Sequence, residues 1–100
     1  KNVHIIAVFY ENSIIGTITL IVADQITGKK GYIEDLVVDE KFRNRGLGSN
    51  LVRHVIELSK KLKVEKLYLR SEPHRIHANI LYQKIGFLKK EANVYQLKLK

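Results

Sequence analysis

YIEDLVVDEKFRNRGLGSNLVRHVIELS, residues 32–59, is the stretch whose reading decides the fold. Tyr32 to Val38 is apolar and β-branched enough for a strand, and from Leu47 a long amphipathic helix follows. Between them lies a charged turn with Arg43, Asn44, Arg45, Gly46 and Gly48. Where a strand feeds a helix through such a turn, the first helical N–H groups have no intrahelical partners and the helix dipole adds partial positive charge. Such a junction holds an anion, phosphate above all. Gly46 and Gly48 free the backbone to take φ values that other residues avoid, and Arg43 and Arg45 supply fixed charge. The reading is a site for a nucleotide-like diphosphate.

Spacing removes two common phosphate motifs. A P-loop needs G-x-x-x-x-G-K-[ST], and neither a Lys nor a hydroxyl follows these glycines in register. A dinucleotide fingerprint needs a third glycine where Leu51 stands and an acidic residue about 20 positions on, near Lys66. What Arg43, Gly46 and Gly48 do match is Arg/Gln-x-x-Gly-x-Gly/Ala. Further on, Ala78, Tyr82, Gly86 and Phe87 spell A-x-x-x-Y-x-x-x-G-F. With both motifs at this separation, the chain resembles the GNAT superfamily of acetyl-CoA-dependent N-acetyltransferases. The resemblance covers residues 3–99 and implies an α+β fold. Its mixed, mostly antiparallel sheet would have helices on both faces and a splayed strand pair that admits the pantetheine arm.

Working outward, the 100 residues allow a single domain, and 45% hydrophobic content makes it globular. No run reaches the roughly 18 apolar residues of a membrane span, so no membrane partner and a cytoplasmic location are expected. The absence of cysteine excludes disulfides, a thiol nucleophile and thiolate metal sites. His4, His54, His74 and His77 share no metal-ligand spacing, and no metal is expected. The net charge of +8 fits a polyanionic ligand or a lysine-solvated surface. Nucleic acid is the weaker reading, because the lysines are scattered and no aromatic-and-basic recognition motif is present.

Val3 to Tyr10 and Ile14 to Ala23 read as a hairpin about Glu11-Asn12-Ser13. The apolar residues on both faces of the second strand predict burial on both sides. Asp24 to Gly31 reads as a loop and Tyr32 to Val38 as the third strand. Leu47, Leu51, Val55, Leu58 and Leu62 form one helical stripe, with a Glu57 to Lys61 ion pair expected opposite. Lys66 to Arg70 is a short strand, Pro73 opens a second helix and Gly86 closes it. Phe87 to Lys90 and Asn93 to Leu99 are strand-like. Relatives carry a further strand and helices ahead of the first hairpin, so a shortened N-terminal part is expected.

Acetyl transfer to an amine needs a neutral amine, a polarised thioester carbonyl and a proton for the departing thiolate. A lysine-like amine of pKa about 10.4 is only about 0.04% neutral at pH 7, a handicap of roughly 4.6 kcal/mol. Glu34 and Asp35 are the candidate bases. Strand neighbours face opposite ways, so only one looks into the site unless a bulge intervenes. Glu34 is the choice, acting through partial burial or through water. The resemblance implies that the N–H of Val38 or a neighbour polarises the carbonyl and that the Tyr82 phenol protonates the thiolate. It also implies cofactor contacts from Leu36, Val37 and Val38, from Arg43, Asn44, Arg45, Gly46, Leu47, Gly48 and Ser49, and from Asn79 and Tyr82. Many relatives have Asn seven residues before the tyrosine, where this chain has Arg75. Arg75 and Ser71 are therefore candidates to meet the acceptor, with His74 and His77 as alternative bases.

Three functions follow. The first is direct acetyl transfer from acetyl-CoA to a primary amine, with a homodimer possible by the same resemblance. The second is coenzyme A binding without turnover, and the third a basic nucleic-acid-binding domain.

Overall fold

The structure, a computed structural model, describes residues 2–100. Four strands, β1 (Val3–Tyr10), β2 (Ser13–Gln25), β3 (Gly28–Val38) and β4 (Lys66–Leu69), form one sheet in the order β1-β2-β3-β4. Two helices, α1 (Leu47–Lys61) and α2 (Ile76–Ile85), and a 3-10 turn at Glu40–Phe42 complete the regular structure. The β1–β2 and β2–β3 pairs are antiparallel, and β3–β4 is parallel with α1 as its crossover.

The hairpin turn is tighter than its sequence implies. Ser13 already pairs with Tyr10, leaving Glu11 and Asn12 at φ 48° and 68°. Positive φ at both central residues matches the twist of the flanking strands, and Asn accepts it readily. The expected loop after β2 shrinks likewise to Ile26 and Thr27, because Asp24 pairs with Lys29 and Ala23 with Lys30. Gly28 closes that turn at φ 121°.

One face of the sheet carries the core. Ile18 and Leu20 of β2 are fully buried against Leu51, Val52 and Val55 of α1, with Ile33 of β3 beside them. Gly31 makes this packing possible: a Cβ there would lie 3.0 Å from Leu67 Cδ1 and 3.1 Å from Leu20 Cδ1. Tyr82 of α2 belongs to the same cluster, with Ala78 and Ile85 packed on its edge.

Both described helices thus pack their buried residues on one face. The other face, with Val3 53% and Ile5 69% exposed, is uncovered among the described residues. β2 is accordingly sealed on one side only, its Thr17, Thr19 and Ile21 remaining partly exposed.

Three further expectations change. Pro73 lies in a turn ahead of α2 rather than in its first turn. Glu57 pairs with Lys60 at 3.2 Å instead of Lys61, an exposed contact of little energetic weight. Phe87 to Lys90 and Asn93 to Leu99 form no strand: Leu88, Tyr95, Leu97 and Leu99 are each more than 80% exposed. Strand propensity is realised only where a partner supplies hydrogen bonds and an apolar face; Phe87 packs on the core and bonds back to Tyr82 O, while the residues from Leu88 onward are exposed. No helix is long and apolar enough to cross a membrane among the described residues.

Candidate active site

The site begins with a bulge. Thr19 opposes Glu34 and Thr17 opposes Val37, so two residues of β3, Asp35 and Leu36, face the single Ile18 of β2. Asp35 absorbs the extra length at φ 53°, a conformation that Asp tolerates better than most side chains. At the same point β4 ends, all four of its residues being paired with β3. Their ladder ends at Ile33 and Leu69, while β3 runs on to Val38. The result is a wedge, bounded on one side by the β3 backbone from Glu34 to Val38.

Strand alternation sets what faces this wedge. Asp39 N–H donates to Ile15 O at 2.7 Å, so the odd-numbered residues here bond towards β2. Val38, one residue earlier, then turns its N–H and C=O the other way, into the wedge. From that side Arg43 Nε donates to Val38 O at 3.1 Å, tying the turn to the strand.

The side chains of β3 divide between faces. Glu34 lies in register with Thr19 and Ile5 on the uncovered face, whereas Leu36 packs on the core beside α1. Asp35 is exposed at the bulge, and Val37 shares the uncovered face through its pairing with Thr17.

The turn after β3 is built to present amides. Asp39 Oδ1 accepts from Lys41 N–H at 2.9 Å and starts the 3-10 turn. Asn44 and Gly46 at φ 65° and 78° then reverse the chain into α1. Gly46 is the N-cap and provides no side-chain acceptor. The first intrahelical bond is Asn50 N–H to Gly46 O at 3.0 Å, which leaves the N–H groups of Leu47, Gly48 and Ser49 ahead of it. Nothing lies within 4 Å of a Cβ built on Gly46 or Gly48, so the turn is open to a ligand. Arg45 rests over the Phe42 ring at 5.3 Å, and Phe42 stands 5.3 Å from Tyr10. The sequence reading missed both aromatic residues, whose only signal is that Phe42 precedes Arg45 by three.

On the helix side, Tyr82 is 7% exposed and edge-on to Phe87 at 6.2 Å. Its hydroxyl has no hydrogen-bond partner among the described residues. Only Ser59 Oγ and Ser71 Oγ are sealed and unpaired there, so the Tyr82 oxygen opens onto accessible space. Asn79 Nδ2 donates to Glu72 O at 3.0 Å, which fixes the turn entering α2 and leaves the amide oxygen as its free group. Arg75, His74 and His77 are exposed.

The two best-formed hollows lie elsewhere. One, of about 630 Å³, borders Ile6 and His54 beside α1, and the other, of about 200 Å³, borders Ile15 and Val37. Neither includes Gly46 or Tyr82. No cluster of three metal-ligating side chains occurs among the described residues.

Glu34 and Tyr82 therefore stand on opposite faces of the sheet, with a backbone wedge cut between β3 and β4 and an open, amide-lined turn at the end of β3. A 25%-identical glucosamine-6-phosphate N-acetyltransferase from Arabidopsis thaliana superposes with TM-score 0.85 over 96% of this chain and 67% of its own. A Trypanosoma brucei acetyltransferase, 28% identical, gives TM-score 0.85 over 98% of this chain and 70% of its own.

In sequence, the chain is 33% identical over 67 residues to glucosamine 6-phosphate N-acetyltransferase 1 of Oryza sativa subsp. japonica, covering 67% of this chain and 39% of that one. It is 32% identical over 81 residues to N-alpha-acetyltransferase MAK3 of Arabidopsis thaliana, covering 81% of this chain and 43% of that one. It thus spans less than half the length of these curated relatives. Residues 1–87 match the model of the acetyltransferase (GNAT) family. The chain belongs to the GNAT acetyltransferase family.

Proposed function

We propose that this chain carries the acetyl-CoA site and transfer machinery of an N-acetyltransferase acting on a primary amine. In this reading the amides of Leu47, Gly48 and Ser49 take the diphosphate of acetyl-CoA, with charge from Arg43 and Arg45. The pantetheine arm runs into the wedge, where its polar groups meet the unpaired edge of β3. Asn79 offers its amide oxygen from α2.

The amine approaches from the uncovered face. Glu34 accepts its proton through water, which suits an exposed carboxylate better than direct contact does. As nitrogen attacks the thioester carbon, the N–H of Val38 stabilises the charge growing on the carbonyl oxygen. The C–S bond then breaks, Tyr82 gives its phenolic proton to the sulfur, and the second proton, shed by the nitrogen as the amide forms, returns through water to the phenolate. No covalent acetyl-enzyme is needed, in keeping with a chain that has no cysteine.

What supports this reading above all is the break in the β3–β4 ladder at Ile33 and Leu69, beside the Asp35 bulge. It provides a passage through the sheet with a base candidate on one side and an acid candidate on the other. The acceptor class we favour is a small amine of the amino-sugar kind, for which two solved or curated relatives are named.

Calorimetry with acetyl-CoA, followed by coenzyme A thiol release over a panel of amino sugars, polyamines and peptides, tests it. Binding with turnover that Tyr82→Phe abolishes is expected. Binding with no turnover for any amine would leave a coenzyme A-binding module. Binding of nucleic acid but not acetyl-CoA would restore the third reading.

A further inference from the structure

The turn between β3 and α1 contains two arginines, and the structure secures them by different means. Arg43 is tied to its own chain through the bond from its Nε to Val38 O. The Arg45 guanidinium has neither a hydrogen-bond acceptor nor a carboxylate partner among the described residues. It lies instead over the Phe42 ring, 5.3 Å from the centroid.

A ring and an anion do not compete for the same part of a guanidinium. Aromatic contact uses the flat face, whereas the N–H groups point outward in the plane, in the fork that matches phosphate oxygens. Seated on Phe42, Arg45 therefore keeps its donors for a ligand. Its charge is kept as well: Asp39 and Glu40 open the same turn, yet neither pairs with it.

Phe42 is itself held from two sides. Its N–H donates to Asp39 O at 2.9 Å within the 3-10 turn, and its ring stands 5.3 Å from that of Tyr10, tilted by 55°. Tyr10 is the last residue of β1 and is fixed opposite Ser13. The hairpin grips the turn a second time where Asp39 N–H bonds to Ile15 O of β2. Phe42 is half-buried without belonging to the hydrophobic core, so core packing does not account for its place.

We propose that Phe42, backed by Tyr10, is a positioning residue for the acyl donor: its ring holds the Arg45 guanidinium ready for the diphosphate of acetyl-CoA. A long side chain loses rotamer freedom when it binds a ligand, and one already held loses less. The inference rests on the acetyl-CoA reading above. It adds that affinity for the diphosphate is set in part from the tip of the β1–β2 hairpin, which touches no phosphate itself.

Calorimetry with acetyl-CoA tests it. Phe42→Leu should weaken binding ~3- to 10-fold, in the range of a cation–π contact, while Phe42→Tyr, which keeps the ring, should bind as the parent does. Tyr10→Leu should shift affinity in the same direction by less. In an Arg45→Gln chain, Phe42→Leu should bring no further loss, since the two residues act as one unit. Acetyl-pantetheine, which has no diphosphate, should bind the parent and Phe42→Leu equally. Losses that add in full in the double variant, or that are as large for acetyl-pantetheine as for acetyl-CoA, would make Phe42 a mere support of the turn and overturn the proposal. So would an unchanged affinity of Phe42→Leu. Circular dichroism identifies a variant that fails to fold, and Tyr10→Leu with and without Arg45→Gln then supplies the same comparison from outside the turn. If the parent chain binds no acetyl-CoA, the donor reading fails first and this inference falls with it.

Discussion

The two halves of this molecule are built to different standards. β1, β2 and β3 share long antiparallel ladders and, with α1, seal Ile18, Leu20 and Val52 to 0% exposure. β4 is a four-residue strand, and Tyr82 is the only residue of α2 that becomes buried. Beyond Phe87, the residues after α2 are exposed. Yet the proposed chemistry uses the boundary between these halves. A wedge needs a strand edge left unpaired, and a sheet as well knit on its β4 side as on its β2 side would have none. Local stability is not uniform across a fold, and parts that admit ligands come from its less stable end.

Tyr82→Phe makes the sharpest break in this comparison. The ring keeps its edge-on contact with Phe87, so folding should hold while thiol release in the presence of amine falls by ~10²- to 10⁴-fold, the usual worth of a general acid. Unchanged turnover would remove Tyr82 from the reaction and leave it a core residue. In the well-packed half, Leu20→Ala should lower unfolding free energy by about 2–5 kcal/mol in urea titration, since a fully buried leucine leaves a cavity. A loss under about 1 kcal/mol would mean that the two halves are less different than their burial implies.

Gly46→Ala should cost about 1–2 kcal/mol, because Gly46 sits at φ 78° and only the backbone conformation, not crowding, resists a methyl group. Calorimetry should show weakened acetyl-CoA binding in the same variant. The smallest effect belongs to Leu97→Ala. Leu97 is 81% exposed, so the variant's unfolding free energy should stay within about 0.5 kcal/mol of the parent in urea titration, as for surface sites in general.

Much of the first half could be read in advance. Strand-forming composition located β1 to the residue, and the stripe from Leu47 to Leu62 located α1, because helical periodicity is written directly into residue order. The turn was readable from Arg43, Gly46 and Gly48, which the structure leaves open. Less legible were contacts between segments remote in sequence. Nothing around Asp35 announces a bulge, since the register shift arises from how β3 meets Ile18 of β2. Arg43 reads as a phosphate ligand, but its hydrogen bond to Val38 also makes it a brace between turn and strand. The stacking of Tyr10, Phe42 and Arg45 likewise joins a hairpin end to a turn some 30 residues away.

Residue order alone therefore determined the four strands and two helices, the glycine turn between β3 and α1 and the family, since propensity, periodicity and short motifs act over a few neighbours. Tertiary structure alone decided that both helices share one face, that β4 ends at Leu69 and leaves β3 without it beyond Ile33, and that strand-like residues 93–99 remain unpaired. Each of these depends on whether a distant segment offers hydrogen bonds and apolar surface at the right place, which no local pattern encodes.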